Sequence, residues 1–257
     1  MGDRRFWLSY SCNSFLHLLF EGHFLMDIGT VMSQLEALGT DQNVKIYTRH
    51  GAGDNVFGVS FTSLKKLKSK IGVDHELAVK LWDSGNSDAR SLAMMLADPA
   101  LVSPTLATQW MKDVNYYLHG GEVAEVVARS ACGLAKMRQW RKQKSEYARA
   151  TGYSIFCCLL KNDADSVEEV ECQRILKDIE TEIHRSPNRA RHAMVMAVIA
   201  MGVYKTELTD DALEVGERIG HVHVDHGETS CTTPKIGPYI TEALKRNDGQ
   251  KPRIRSC

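Results

Sequence analysis

Apolar residues recur every three or four positions along most of this chain, a spacing that places them on one face of an α-helix. Ile28, Val31 and Leu35 show the pattern first, and Gly39 ends it. The same period returns repeatedly as far as Gly220, with short polar loops and almost none of the alternation typical of strands. The pattern therefore predicts about a dozen helices of modest length.

Three of the predicted helices begin alike, with an arginine close to the start of a run of small and apolar residues. The arginines are Arg90, Arg149 and Arg191. Helix pairs that repeat about every 40 residues are the signature of an α-solenoid such as HEAT repeats. We therefore predict an all-α solenoid of HEAT-like helix pairs, with the three arginines in register along the concave surface that the inner helices form.

Reactive side chains are densest in residues 216–239, a predicted extended segment that we call the clasp. They are His221, His223, Asp225, His226, Glu228 and Cys231. His221, His223 and Asp225 alternate with valines, so they share one face of an extended chain. This face could bind zinc, with Cys231 as a fourth ligand. Alternatively, the clasp is a structural lock that closes the last repeat and leads into a final helix through Lys245, since Asp225 and Thr229 readily form local turn bonds.

The two ends of the chain differ from its body. Residues 1–25 place Arg4 and Arg5 before an apolar run, as a signal peptide does, but His17 interrupts the run and no small-residue cleavage site follows. The run is also too short to span a bilayer, so no membrane partner is expected. We predict a poorly ordered extension over residues 1–25, one solenoid domain over 26–246 and a flexible tail over 247–257.

The charge balance limits the classes of partner. The 32 basic residues equal the 32 acidic ones, which argues against a polybasic protein but leaves room for a local basic face. A concave face with repeated arginines suits a polyanion backbone. An alternative is that the arginines cap neighbouring helices or pair with acids. The candidate DNA-binding residues are Lys65, Lys66, Arg90, Arg141, Lys142, Arg149, Arg189 and Arg191.

Cysteine usage indicates a reducing compartment. The seven cysteines are odd in number and include no Cys-x-x-Cys pair, so reduced thiols in a cytoplasmic protein are expected.

Four segments carry a resemblance to a known family. They begin at Asn55 (Asn-Val-Phe-Gly-Val), Asp83 (Asp-Ser-Gly-Asn-Ser-Asp-Ala-Arg), Ile183 (Ile-His-Arg-Ser-Pro-Asn-Arg-Ala-Arg) and Val224 (Val-Asp-His-Gly-Glu-Thr-Ser-Cys). From about Met32 to Leu244 the chain resembles the AlkD-like DNA alkylation repair proteins. The resemblance implies a HEAT-like solenoid that holds duplex DNA in its groove and excises N3- and N7-alkylated purines without flipping the base. It implies no metal or organic cofactor, which favours the lock interpretation of the clasp, and no obligate protein partner is evident.

The residues that carry the chemistry in that family differ here. The family uses a Trp that stacks near the lesion, an Asp four residues later that supports the sugar cation, and an Arg that holds a phosphate. No Trp-x-x-x-Asp occurs in this chain, and alignment places Tyr117, Gly121 and Ala150 at the three positions. A glycine cannot supply a carboxylate.

Substitutes for these groups can be named. Trp110 and Asp113 are three residues apart and share a face of one predicted helix, while Arg149 stands beside Ala150. Trp110, Asp113, Tyr117 and Arg149 are therefore the candidate catalytic residues of a glycosylase with a rearranged site. Alternatively, Trp110 is a core residue, Asp113 is solvated and Arg149 forms a structural ion pair. The protein would then be a non-catalytic module that binds nucleic acid or senses damage, or a protein-interaction scaffold.

Overall fold

A computed structural model describes residues 26–246, and that range is almost entirely helical. Its α-helices are α1 (Ile28–Leu38), α2 (Asp41–Arg49), α3 (Phe61–Ile71), α4 (His75–Asp83), α5 (Ser87–Leu96), α6 (Pro104–Asp113), α7 (Tyr117–Ala128), α8 (Gly133–Trp140), α9 (Glu146–Asn162), α10 (Glu169–Glu182), α11 (Asn188–Tyr204), α12 (Thr209–Ile219) and α13 (Ile236–Arg246). Within the described range no strand forms, and one isolated bridge joins Gly39 to Val59. The predicted all-α class is confirmed. The extension and tail predicted for residues 1–25 and 247–257 lie outside the described residues.

The helices form two layers. Helices α5, α7, α9, α11 and α13 contact one another in succession and form the inner layer. Each is preceded in the chain by an outer helix, from α4 to α12, that packs against it. Because each pair buries its apolar face only against its neighbours, stacking of pairs creates one continuous core. This is the predicted solenoid of HEAT-like helix pairs.

Close packing of the two layers depends on small residues at particular positions. At Gly152, in α9, an added Cβ would collide with the backbone of Trp140 and Arg141 at the end of α8. At Gly121, in α7, an added Cβ would meet nothing within 4 Å. The first glycine is therefore needed for packing, whereas the second faces open space.

One buried carboxylate organises the loop before α3. Asp88, at the start of α5, accepts hydrogen bonds from the backbone N–H groups of Phe57, Gly58 and Val59 at 2.7, 3.0 and 2.9 Å. Asn86 donates to the Asn55 side chain at 3.1 Å. The segments that begin at Asn55 and Asp83, which carried the family resemblance, are thus bonded to each other.

The clasp is extended and packs on the last helices. Val222 and Val224 are buried, while His221, His223 and Asp225 are exposed, so the predicted alternation is present. The Asp225 backbone forms two bonds with the Asn188 side chain, one donated at 2.7 Å and one accepted at 2.6 Å. These contacts fix the clasp to the start of α11, as a lock would.

None of the helices in residues 26–246 is long and apolar enough to cross a membrane.

Candidate nucleic-acid interface

A cleft of about 460 Å³ lies on the face formed by the inner helices α7, α9 and α11. His50 and Phe61 contribute to its lining from the N-terminal part of the chain, and the clasp contributes His226, Thr229 and Cys231. Residues far apart in sequence therefore meet here because the repeats stack side by side. The clasp has a second role beyond closing the last repeat, since it supplies part of the cleft lining.

The three positions at which this chain departs from the expected family pattern all line this cleft. They are Tyr117, Gly121 and Ala150. Tyr117 and Gly121 are four residues apart on α7, and Ala150 lies on α9. The alignment made from the sequence therefore identified one coherent site, although the groups at that site are a phenol, a hydrogen and a methyl.

Tyr117 connects two other parts of the lining. Its hydroxyl lies 3.1 Å from Nδ1 of His50, and the guanidinium carbon of Arg189 lies 4.5 Å from the centre of its ring. A cation over an aromatic face is held by the ring quadrupole. The backbone of Arg189 is also held in place, since its N–H donates to the Glu146 carboxylate at 2.6 Å. The row His50, Tyr117 and Arg189 thus joins α7 to residues before α3 and to the start of α11.

Two carboxyl groups of α7 also line the cleft, and they differ in their surroundings. Glu125 accepts from the Lys161 ammonium at 2.9 Å in a half-exposed ion pair. Glu122 accepts from the Ser91 hydroxyl at 2.9 Å, and its Oε1 is buried. Burial raises the pKa of Glu122 from its ordinary value of 4.5 to about 8 because a charged carboxylate is disfavoured away from water. Glu122 is therefore protonated and uncharged at neutral pH.

His192 and Cys157, which also line the cleft, are uncharged at neutral pH as well. His192 and His226 meet edge to face with their centroids 5.4 Å apart, and burial lowers the pKa of His192 to about 4. Burial raises the pKa of the Cys157 thiol to about 12, so this thiol is a poor nucleophile. Within residues 26–246 no three His, Cys, Asp or Glu side chains are grouped so as to hold a metal ion.

A family model described as "DNA alkylation repair enzyme" matches residues 31–233. The chain belongs to the DNA alkylation repair enzyme family. Two curated relatives are the uncharacterized proteins Lin0241 of Listeria innocua and Lmo0209 of Listeria monocytogenes. Each is 29% identical over 221 residues, which covers 83% of this chain and 96% of the relative.

A solved structure is also similar to this chain. It superposes with a TM-score of 0.82 at 29% identity and covers 90% of this chain and 100% of its own. It is described as "a new family of proteins related to the HEAT-like repeat DNA glycosylases with affinity for branched DNA structures". The HEAT-like fold is thus shared with proteins that are related to DNA glycosylases.

Of the four candidate catalytic residues in this DNA alkylation repair family member, only Tyr117 lines the cleft. The Trp110 side chain is 0% exposed and packs with its ring centroid 6.0 Å from that of Trp82. Asp113 accepts from the indole Nε1 of Trp82 at 3.0 Å. Trp110 is therefore a core residue, as in the alternative, and stacking on DNA would require it to leave the core. Asp113 differs from that alternative, since it is half-buried and bonded to Trp82 rather than solvated.

Two of the three repeated arginines, Arg90 and Arg149, bind the ends of outer helices. Arg90 donates to the carbonyl of Trp82 at 3.3 Å and to that of Asp113 at 3.2 Å, at the ends of α4 and α6. Arg149 donates to the Arg141 carbonyl at 3.2 Å and to Glu182 at 2.8 Å, at the ends of α8 and α10. The last carbonyls of a helix lack partners within it and carry partial negative charge. Each arginine therefore joins two successive repeats, as the capping alternative describes.

The other candidate DNA-binding residues fall into two groups. Arg141 is buried and pairs with Asp178 at 2.8 Å, and Arg191 is half-buried beside Asn188. The remaining ones are available to a ligand, because Arg189 lines the cleft while Lys65, Lys66 and Lys142 are exposed. The Lys65 ammonium lies 4.9 Å from the centre of the Phe61 ring, at the cleft lining.

Glu122, His192 and His50 belong to the cleft but were not predicted from the sequence. They meet at one site because α7 and α11 both stack on α9 and because the turn after α2 brings His50 to the same face. For Glu122, the signal available in the sequence was that a carboxyl side chain directly follows Gly121, the position where the resemblance expects an Asp.

Proposed function

We propose that the protein binds DNA across the face of α7, α9 and α11, and recognises DNA structure without excising bases by the family route. The observation that carries this proposal is that Tyr117, Gly121 and Ala150 line one cleft. The resemblance assigns to these positions the groups that stack on the lesion, support the sugar cation and hold a phosphate. Removal of a base requires stabilisation of positive charge that develops on the sugar, and Gly121 supplies none.

The cations around the cleft support binding of the DNA backbone. Arg189 is held over Tyr117 at the cleft, and Lys65 lies beside Phe61. Phosphate contacts of this kind provide affinity that does not depend on sequence. Branched DNA is the preferred substrate in this proposal, since a similar structure is described as having affinity for it.

Excision of N3- and N7-alkylated purines is a second candidate, and one observation favours it. Glu122 places a carboxyl in the cleft directly after Gly121. The same burial that raises the pKa of Glu122 to about 8 leaves it uncharged at pH 7, however, and an uncharged carboxyl stabilises a sugar cation poorly. If Glu122 served this purpose, base release would increase as the pH rose past 8.

A paired assay tests the proposal. Affinity for a four-way junction, a fork and a linear duplex is measured at several salt concentrations, and release of 3-methyladenine and 7-methylguanine from methylated duplex is followed at pH 7 and pH 9. Salt-sensitive binding that favours branched DNA, with release no greater than in a heat-inactivated control, supports it. Release well above that control at either pH would establish the glycosylase, and salt-insensitive or absent binding would exclude both functions.

A further inference from the structure

Helix α3 carries a concentration of positive charge that has no local counterpart. Lys65, Lys66, Lys68 and Lys70 are all exposed, and the eleven residues of the helix include no acid. Within residues 26–246 none of the four ammonium groups pairs with a carboxylate, whereas the exposed Arg218 does so. Because the chain as a whole is neutral, this local excess of charge favours contact with a polyanion.

An exposed aromatic ring begins the same helix. Phe61 lines the cleft, yet it is 49% exposed, so its ring is open to solvent at the edge of the cleft. The Lys65 ammonium lies 4.9 Å from the centre of this ring. Leu118, on α7, is a second exposed apolar side chain of the lining, at 38%. Single apolar side chains are common on surfaces, but two at a cleft that is also lined by Arg189 and Lys161 indicate an interaction surface.

The spacing along α3 forms a stripe that leads away from the cleft. Phe61, Lys65 and Lys68 are four and then three positions apart, so their side chains lie in one row on the helix surface. The buried side chains of the helix are Leu64 and Leu67, which leaves the stripe facing solvent. From Phe61 to Lys68 it extends about 10 Å along the helix axis. The stripe thus runs from an aromatic ring at the cleft to an ammonium that does not line it.

The order of groups along the stripe matches the order of groups at a branch in DNA. Aromatic rings stack on base faces, and ammonium groups bind phosphates. In a continuous duplex both faces of every base pair are covered, so an apolar side chain can insert only if it unstacks two pairs. At a branch the last pair of an arm already has an open face, and the phosphates of that arm continue from it. A ring followed by cations therefore suits the end of an arm better than its middle.

We propose that Phe61 stacks on the base pair at the branch point of branched DNA, while Lys65 and Lys68 bind phosphates of an arm that follows α3. This inference rests on the DNA binding proposed above, and it gives the preference for branched DNA a structural cause. One arm lies across α7, α9 and α11, and the second arm leaves the cleft along α3. Phe61 is then a specificity-determining residue, because only a branch presents the open base pair on which it stacks.

The test compares a three-way junction with a linear duplex. The outer ends of both DNAs are closed by hairpin loops, so that only the junction presents open base pairs, and fluorescence polarisation measures both affinities for the full chain. Phe61→Ala should lower the ratio of junction affinity to duplex affinity about tenfold, a loss typical of one stacked base. Phe61→Trp keeps a stacking surface and should retain the ratio. Leu101→Ala is the control, since Leu101 is 60% exposed and does not line the cleft.

A second pair of variants tests the arm along α3. Lys68→Gln should reduce the slope of log affinity against log salt by about one for the junction. The slope for the closed duplex should not change, because only the junction has a second arm. Lys177→Gln removes the same charge from an exposed position on the outer helix α10 and should match the wild type with both DNAs. Melting curves establish that each variant folds.

The outcomes separate this inference from the proposed function. An unchanged affinity ratio in Phe61→Ala, or a ratio that falls equally in Phe61→Trp, would overturn the inference and leave DNA binding intact. Lys68→Gln with the wild-type salt slope would exclude the arm along α3 in the same way. A wild-type protein that binds both DNAs equally would overturn the inference together with the preference for branches. Absence of binding to both DNAs would overturn the proposed function as well.

Discussion

The buried carboxyl of Glu122 leads to a stability prediction with a definite sign. Glu122→Gln replaces a protonated carboxyl with an uncharged group of nearly the same shape, and a glutamine can still accept from the Ser91 hydroxyl. In the wild-type protein the fold raises the pKa of Glu122 from 4.5 to about 8. The native state therefore keeps a proton that the unfolded chain releases.

The magnitude follows from this difference in bound protons. Below pH 4.5 both states are protonated, so ionisation of Glu122 has no effect on stability. As the pH rises from there to about 8, only the unfolded state ionises, so the native protein loses about 1.4 kcal/mol of stability per pH unit. From pH 5 to pH 8 the advantage of Glu122→Gln over the wild type should therefore grow by about 4 kcal/mol.

Urea unfolding of both proteins at half-unit pH steps measures this difference. Contributions from other titrating groups are the same in both proteins and cancel in the comparison. Glu125→Gln is the matched control, because Glu125 lies on the same helix in a half-exposed ion pair that is worth at most about 1 kcal/mol. Parallel stability curves for the wild type and Glu122→Gln would refute the argument, because they would mean that Glu122 is ionised in the folded protein.

Three further predictions concern the packing that positions the cleft. Gly152→Ala should destabilise the protein by about 1–3 kcal/mol in urea unfolding through collision with the end of α8, whereas Gly121→Ala should stabilise it by about 0.5–1 kcal/mol; equal effects would contradict this. Asp88→Ala leaves three backbone N–H groups without their acceptor and should cost at least about 3 kcal/mol in the same measurement; a loss below 1 kcal/mol would exclude that role. Arg149→Ala should lower stability by about 2–4 kcal/mol because it removes bonds to α8 and α10; unchanged stability with weaker DNA binding would instead assign Arg149 to the DNA.

The fold was predictable because its signals are local and repeated. The three-to-four spacing of apolar residues defines helices directly, and the short loops between them permit little except stacked pairs. In the clasp, alternation alone separated buried Val222 and Val224 from their exposed neighbours. Both patterns report which face of a single helix or extended segment is buried. The order of apolar and polar residues in one sequence is enough to show this.

The spacing of the repeated arginines did not decide whether they bind the ends of helices or the phosphates of DNA. Arg90 and Arg149 were recognised as a repeat, but a guanidinium binds helix carbonyls and phosphates with the same donors. Only the stacked repeats bring the ends of α4, α6, α8 and α10 within reach. The distinction requires distances between helices, which spacing within a helix does not contain.

Prediction of the site was partial for the same reason. The i, i+3 relation of Trp110 and Asp113 was correct as helix geometry, yet Trp82 from α4 occupies the face that they share. No signal in the sequence indicated the protonation state of Glu122, because the burial that changes it comes from α5 and the core. Tyr117, Gly121 and Ala150, the positions given by the alignment, line one cleft. The segments of the resemblance bond to each other in two pairs, the Asn55 segment with the Asp83 segment and the Ile183 segment with the Val224 segment.

The salt dependence of DNA binding by one pair of variants tests the central claim most directly. Arg189 lies at the cleft over Tyr117, whereas Arg218 on α12 pairs with Glu180 and Glu214 away from it. The two substitutions Arg189→Gln and Arg218→Gln remove the same charge. Arg189→Gln should weaken binding of a four-way junction about tenfold and reduce the slope of log affinity against log salt by about one, while Arg218→Gln should match the wild type. Equal effects of the two substitutions, or none from Arg189→Gln, would contradict the assignment of the DNA interface to this cleft.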